Sequence, residues 1–326
     1  MAHGGSRHDL RKMLVPGAAL LLPGVSNALT ARVIADLGFP VAYVTGAGIA
    51  NTFLGLPDNG LVTMTELVEH VAAIRDAFPG PLVVDMDTGF GNALNTQRAV
   101  RALERAGANA LQIEDQVFPK RCGHIAGKTI VSREEALGKY RAAIAERDRL
   151  DRDFVVIART DAYGAVGGSM EEAIWRGRAY ADAGVELVWA ELSNSERGPA
   201  IEFARAMKQT HPDLPLAFNY SSSFRWHKDE NPLTFRELGE LGYRFIFITL
   251  YGAHAAMYSV WNFMQELVKN EEQAQWTLER LKVGHPTESH HVMARVAHFQ
   301  ELERRYIPGT EERLQGSDGF GEGSSH

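Results

Sequence analysis

Cysteine is nearly absent from this sequence: Cys122 is the only one in 326 residues. A single thiol excludes a disulfide framework and Cys-x2-Cys zinc sites, and it makes a reducing cytoplasm the expected compartment. Also missing is any apolar run near the roughly 18 residues that a membrane span needs. The opening "MAHGGSRHDLRKMLVPGAALLLPG" joins a basic flank to a short apolar run. That run closes on Pro-Gly without a small-residue cleavage pattern, so it reads as a buried strand rather than a secretory signal. Basic charge is not in excess, because 34 Lys and Arg face 41 Asp and Glu, a net −7 mixed along the chain. A nucleic-acid binder needs a basic stripe. The expected partner is therefore a small molecule, with no nucleic acid and no membrane. Aliphatic residues thin out after Pro308, where "GTEERLQGSDGFGEGSSH" predicts a flexible tail over 309–326.

What is present is an alternation. Eight short apolar, β-rich runs recur: "ALLLPG" (19–24), "VAYVTG" (41–46), "LVVDMD" (82–87), "ALQIED" (110–115), "FVVIARTD" (154–161), "ELVWAEL" (186–192), "LPLAFN" (214–219) and "FIFITL" (245–250). Between most of them lie amphipathic stretches closed by glycine, such as "NTQRAVRALERAGA" and "SMEEAIWRGRAYADAGV". Eight strand–helix repeats predict an α/β fold, a (β/α)8 TIM-type barrel, as one domain over 1–308. Its C-terminal helical extension, about 253–308, holds an apolar stripe at Val292, Val296, Phe299, Leu302 and Tyr306. Two readings of that stripe stand: packing on another subunit, or folding back over its own barrel.

In such barrels the active site lies at the carboxyl ends of the strands. Polar residues gather there: Asp85 and Asp87, Glu114 and Asp115, Arg159 and Asp161, Glu191, Asn219 and Thr249. Residues i and i+2 of a strand share a face, so Asp85 and Asp87 are expected to project together, with Glu114 arriving from the next strand. Oxygen ligands alone, without His-x3-His or Cys-x2-Cys spacing, favour Mg2+ or Mn2+ over zinc. Asp58 in "GLPDNG" is a further candidate acid, although Pro-Asp-Asn-Gly is also ordinary turn chemistry. The alternative is a solvated acidic rim. Cys122 sits in "FPKRCGHIAGK", flanked by Lys120, Arg121 and His124 in a glycine-containing loop able to close over the barrel mouth. Cationic neighbours lower a thiol's pKa and suit it to proton transfer near neutrality. No conspicuous Asn or Asp follows His124 to orient it, which weakens a protease-type dyad.

The motifs "YVTGAG" (43–48), "GLPDNG" (55–60), "DMDTGFGN" (85–92), "IEDQVFPKRCGH" (113–124), "ARTDA" (158–162), "NYSSSFRW" (219–226) and "FITL" (247–250) resemble those of the isocitrate lyase and phosphoenolpyruvate mutase superfamily. The likeness runs from about residue 10 to 310, and "KRCGH" resembles the signature of its carbon–carbon lyases. The resemblance implies a Mg2+-dependent barrel whose C-terminal helices are exchanged between subunits of a homotetramer. It implies that Thr45, Gly46 and Ala47 hold a keto-acid carboxylate, that Asp58, Asp85, Asp87 and Glu114 position Mg2+, and that Arg159 binds a carboxylate or oxyanion. Cys122 would be the general acid, in a loop that also brings Lys120, Gly123 and His124. Asn219, Ser221, Ser223 and Thr249 occupy places that bind a succinate half in isocitrate lyases. Tyr220, Ser222 and Arg225 depart from that tract, and "DTGFGNALN" looks more like methylisocitrate and dimethylmalate lyases.

The expected reaction is retro-aldol cleavage of a 2-hydroxy di- or tricarboxylate, isocitrate or 2-methylisocitrate giving glyoxylate or pyruvate plus succinate. Tyr43, Glu191 or a water on the metal are the candidate bases. Substituted malates are alternative substrates. Oxaloacetate hydrolysis or decarboxylation, phosphonate mutation, and metabolite binding without turnover are the alternative functions on the same scaffold.

Overall fold

The computed structural model describes residues 10–15, 17–192 and 194–315. Its chain divides into two units, Met1–His254 and Ala255–His326. In the first, eight parallel strands close into a barrel in sequence order. They are β1 (Leu20–Val25), β2 (Ala42–Val44), β3 (Leu82–Asp85), β4 (Ala110–Glu114), β5 (Val155–Thr160), β6 (Leu187–Ala190), β7 (Leu216–Asn219) and β8 (Tyr243–Ile248). All eight expected runs are strands. Closure comes from β1 pairing with β8, Leu20 opposite Phe245 and Pro23 opposite Ile248.

The strands are apolar on both faces because both are buried, as parallel sheets require. Tyr43, Val83, Ile157, Trp189, Phe245 and Phe247 fill the barrel interior. Val44, Val84, Leu111, Val156, Val188 and Ile246 face outward into a second apolar layer under the helices. Those helices start and stop where their sequences say. Met64–Ala77 opens with a Thr63/Glu66 capping box, and Met170–Ala183 opens on Ser169 and closes on Gly184 at φ 100°. Ala93–Arg105 is followed by Gly107 at φ 106°.

Loop excursions at the carboxyl ends of the strands carry the remaining sequence motifs. The segment after β4 leaves and returns through an antiparallel bridge between Gln116 and Ile130, so 117–129 is an out-and-back loop with Cys122 near its tip. The expected C-terminal helical extension is interrupted. Tyr251–Asn270 and Glu272–Lys282 are separated at Glu271, φ 47°, and the final stripe breaks at Arg295, φ 65°. Val292 therefore lies on a separate turn from Val296–Tyr306, and the single continuous stripe is corrected to two pieces. Thr310–Gln315 is helical, against the expected flexible tail from 309; the rest of that tail lies outside the described residues.

β1 and β8 approach so closely that a methyl group on Gly24 would stand 1.8 Å from the Thr249 carbonyl oxygen. A backbone carbonyl in a closed barrel cannot swing away. Gly24→Ala is expected to destabilise the fold by about 1–3 kcal/mol, read as a lower urea midpoint with unchanged slope; an unmoved midpoint would refute this close packing.

Candidate active site

Two charge clusters meet at the carboxyl end of the barrel. The first is acidic and held by one lysine. β3 ends at Asp85, and Asp87 lies beyond it with φ 46°, in the left-handed region. The strand alternation expected to align the two carboxylates is thus absent. They converge through the turn instead: Asp87 N donates to Asp85 Oδ1 at 3.2 Å, and Gly46 N donates to Asp85 Oδ2 at 3.3 Å. The Lys120 ammonium, buried, reaches Asp58 at 2.6 Å and Asp87 at 2.9 Å. Burial, ahead of the neighbouring Asp85 and Asp58, raises the Asp87 pKa to about 7 although Lys120 opposes it. Burial also raises Glu114 well above the ordinary range, against the pull of Arg159. Burial lowers the Lys120 pKa, but the surrounding carboxylates reverse this and hold it well above its ordinary value.

The second cluster joins the cysteine loop to the barrel. His124 Nε2 lies 2.9 Å from Glu191 Oε1, and His124 Nδ1 lies 3.7 Å from Cys122 Sγ. Asn219 Nδ2 donates to the same Glu191 oxygen at 3.2 Å, and Asn219 Oδ1 accepts from Thr249 Oγ1 at 3.4 Å. Burial lowers the His124 pKa, yet the Glu191 carboxylate, together with side-chain interactions in which the ring faces Cys122 and Glu191, carries it up to about 9. Burial raises the Glu191 pKa, but Arg159 and His124 outweigh it and keep this carboxylate below its ordinary range. The orienting acid missing after His124 in sequence comes from the sixth strand's end, 67 positions later, which only the barrel's closure brings near. Gly123 is where the loop lies closest: a methyl group there would stand 2.5 Å from Arg159 Nη2 and 2.8 Å from Glu191 Cγ. The loop is folded over the mouth.

Arg159 links the clusters. Its Nη1 lies 3.3 Å from Glu114 Oε2 and its Nε 3.8 Å from Glu191 Oε2, and the guanidinium stands over the Trp189 ring at 4.8 Å.

Other expected site residues sit at the edge. The Thr45 hydroxyl caps a single helical turn by accepting from Gly48 N at 3.1 Å, with Gly46 buried and Ala47 half-buried behind it. Ser221 is buried and accepts from Ser223 N at 3.2 Å, while Ser223 itself is exposed. Tyr43 points into the barrel and its hydroxyl donates to Gln112 at 2.8 Å; burial raises its pKa well above 10.0. Of the cations flanking Cys122, only His124 contacts the thiol, because Lys120 turns to the acids and Arg121 lies exposed toward the Ala126 carbonyl. Sequence reasoning left out Gln116, whose amide donates to Glu114 at 3.1 Å and to the Arg121 carbonyl at 2.9 Å. An amide just after the acidic pair was its only signal.

The donor set suits a hard divalent cation. Asp85, Asp87 and Glu114 are buried oxygen donors, Asp87 Oδ1 and Glu114 Oε2 have no aligned hydrogen bond and face only the Lys120 ammonium at 2.9 Å and Arg159 Nη1 at 3.3 Å, and a side chain on Gly46 would fill the space 3.2 Å from Asp85 Oδ2 and 3.4 Å from Asp87 Oδ1. Among the described residues these acids are gathered around Lys120 and Arg159 and not into a ready-made cluster of three metal ligands.

A model of the phosphoenolpyruvate phosphomutase family matches residues 10–268. The chain is 46% identical over 314 residues to an isocitrate lyase of Haloferax volcanii, covering 96% of this chain and 90% of that one. It is 40% identical to 2,3-dimethylmalate lyase of Eubacterium barkeri (78% and 85% covered) and 36% identical to 2-methylisocitrate lyase of Aeropyrum pernix (81% and 80%). Among solved structures, a 2,3-dimethylmalate lyase described as a PEP mutase/isocitrate lyase superfamily member superposes with a TM-score of 0.76 at 28% identity, covering 98% and 99%. Phosphonopyruvate hydrolase in complex with oxalate and Mg++ gives 0.77 at 27%, covering 93% and 99%. With the barrel, the cysteine loop and these relatives in agreement, the chain belongs to the PEP mutase/isocitrate lyase superfamily and is a lyase of it.

Proposed function

We propose that the protein cleaves isocitrate or 2-methylisocitrate to glyoxylate or pyruvate plus succinate, with Cys122 as the proton donor. The observation that carries this reading is the chain Cys122–His124–Glu191, with distances of 3.7 and 2.9 Å, folded against Arg159 at the barrel mouth. Near-full-length similarity to an isocitrate lyase supports the substrate class.

Asp85, Asp87, Glu114 and Asp58 would hold Mg2+, or Mn2+, which when bound polarises the substrate's 2-oxygen and adjacent carboxylate as a Lewis acid. Thr45, Gly46 and Ala47 line the keto-acid end. Arg159 offers the N–H groups that stabilise negative charge as the carbon–carbon bond breaks, and Asn219, Ser221, Ser223 and Thr249 orient the succinate end. The departing fragment carries the bonding electron pair, and Cys122 gives its thiol proton to that carbon. The thiolate left behind faces the His124 imidazolium, which favours the transfer. Glu191 keeps His124 charged and is thereby committed, as Tyr43 is to Gln112, so neither serves as the base, and the 2-hydroxyl proton would leave to a water at the barrel mouth as the carbonyl forms.

Similarity to 2,3-dimethylmalate lyase favours a second reading in which a substituted malate is cleaved through the same residues. For either substrate, Cys122→Ser should lower kcat about 10²- to 10⁴-fold, and removing Mg2+ should abolish turnover, in an assay of keto-acid release. Activity restricted to oxaloacetate or phosphonopyruvate and indifferent to the serine would replace the lyase reading by a hydrolase or mutase.

The His124 tie has a signed pH dependence. A pKa raised from 6.5 to about 9 contributes stability that is complete below about 6.5, declines above it and is lost as pH rises through about 9. The groups facing the ring are Glu191, Cys122 and Phe224, with Arg159 behind Glu191. The Tm difference between wild type and His124→Gln should therefore shrink across that interval; a constant difference would refute the charged tie.

A homotetramer is the assembly this reading favours. Tyr258, Trp261 and Val268 on the helix Tyr251–Asn270 are 74, 70 and 84% exposed, an apolar face of the kind that subunit contacts cover. Sedimentation equilibrium should give four times 36.0 kDa, and a monomer would contradict the assembly.

A further inference from the structure

Behind the site lies a buried charge pair to which the mechanism gives no role. Asp161, one residue past β5, is fully buried and grips Arg159 along one edge, Nε to Oδ2 at 2.9 Å and Nη2 to Oδ1 at 3.0 Å. A two-point contact fixes the guanidinium plane, which a single hydrogen bond would leave free to rotate. It also leaves Nη1 directed at Glu114. Asp161 is itself immobilised. Its backbone N–H donates to Asp115 Oδ1 at 2.9 Å, and Asp115 Oδ2 is held by Tyr180 at 2.7 Å and Arg176 at 3.1 Å. Its Oδ1 accepts from Lys128 Nζ at 2.8 Å, a lysine as buried as its partner.

Lys128 belongs to the returning limb of the loop that carries Cys122, next to the neck where Val117 N meets the Thr129 carbonyl at 2.9 Å. Its own carbonyl accepts from Val166 N at 2.8 Å. The loop's closest approach to the barrel is Gly123 against Arg159 Nη2. One carboxylate therefore touches both the loop's base, through Lys128, and the surface on which its tip rests, through Arg159. We infer, building on the function proposed above, that Asp161 is the positioning residue of Arg159 and that Lys128 holds Asp161 in place, so that guanidinium geometry and loop closure are set by one buried pair. Two buried cations and one anion in direct contact suit this task, because neither end can leave without exposing an uncompensated charge to the apolar interior.

The test uses a paired variant, Asp161→Asn with Lys128→Met, which removes one charge of each sign. Steady-state kinetics on the cleaved 2-hydroxy acid should show kcat reduced about 10- to 100-fold with KM little moved. Adding Arg159→Lys should then cost much less than it does in the wild type, since both changes act through one group. An unchanged kcat, or effects that multiply in full, would overturn the inference. Independently of turnover, iodoacetamide should alkylate Cys122, the sole thiol, several-fold faster in the folded variant than in wild type at the same pH. An equal rate would mean that the pair does not hold the loop. If wild type cleaves no 2-hydroxy acid, the functional reading fails and the alkylation rate alone decides the positioning role. Should the paired variant not fold, Asp161→Glu, which keeps the charge on a longer arm, takes the same two measurements.

Discussion

Burial of charge is the constraint on which this barrel mouth depends. Asp85, Asp87, Glu114, Asp161 and Glu191 are all buried at the ends of adjacent strands. An ionised carboxylate out of water costs several kcal/mol unless a counter-charge and hydrogen bonds meet it. Lys120 answers Asp58 and Asp87, Arg159 lies between Glu114, Asp161 and Glu191, His124 answers Glu191, and Lys128 answers Asp161. Three of these four cations come from the one loop over 117–129. The loop therefore lies over the site because the acids beneath it need its charges, and Cys122 is carried into place with them.

The same constraint separates the roles of groups that look alike in sequence. Asp87 and Glu191 are both buried acids at strand ends, yet burial wins at Asp87, raising it to about 7, whereas two cations hold Glu191 ionised. Asp87 and its neighbours are thus short of positive charge in a way that suits a divalent cation, while Glu191 is fully matched and acts through His124. A backbone device supports each half: Gly46 leaves space beside Asp85 and Asp87, and Gly123 lets the loop rest on Arg159.

Much of this was legible from the chain. The eight strands follow from apolar runs spaced by glycine-closed helices, and placing acids at their carboxyl ends follows from barrel geometry. What was not legible depends on closure across the barrel. Glu191 behind His124, and Lys128 beneath Asp161, join residues far apart in sequence, and no local spacing announces them. Asp87 reached the expected place for a different reason, through a left-handed turn rather than strand alternation, because β3 stops at Asp85. The helical extension was harder to read, since Glu271 and Arg295 give no composition signal for the breaks at their positive φ.

The central claim is that Cys122, held by His124 on one side of the mouth, hands its proton to the departing carbon. Turnover in D2O followed by stereochemical analysis of the monodeuterated succinate tests this most directly. Delivery from a fixed thiol places the deuteron on a single face and yields one stereoisomer. A racemic label would mean that the carbanion takes its proton from free solvent, and that the thiol, however well placed, is not the donor.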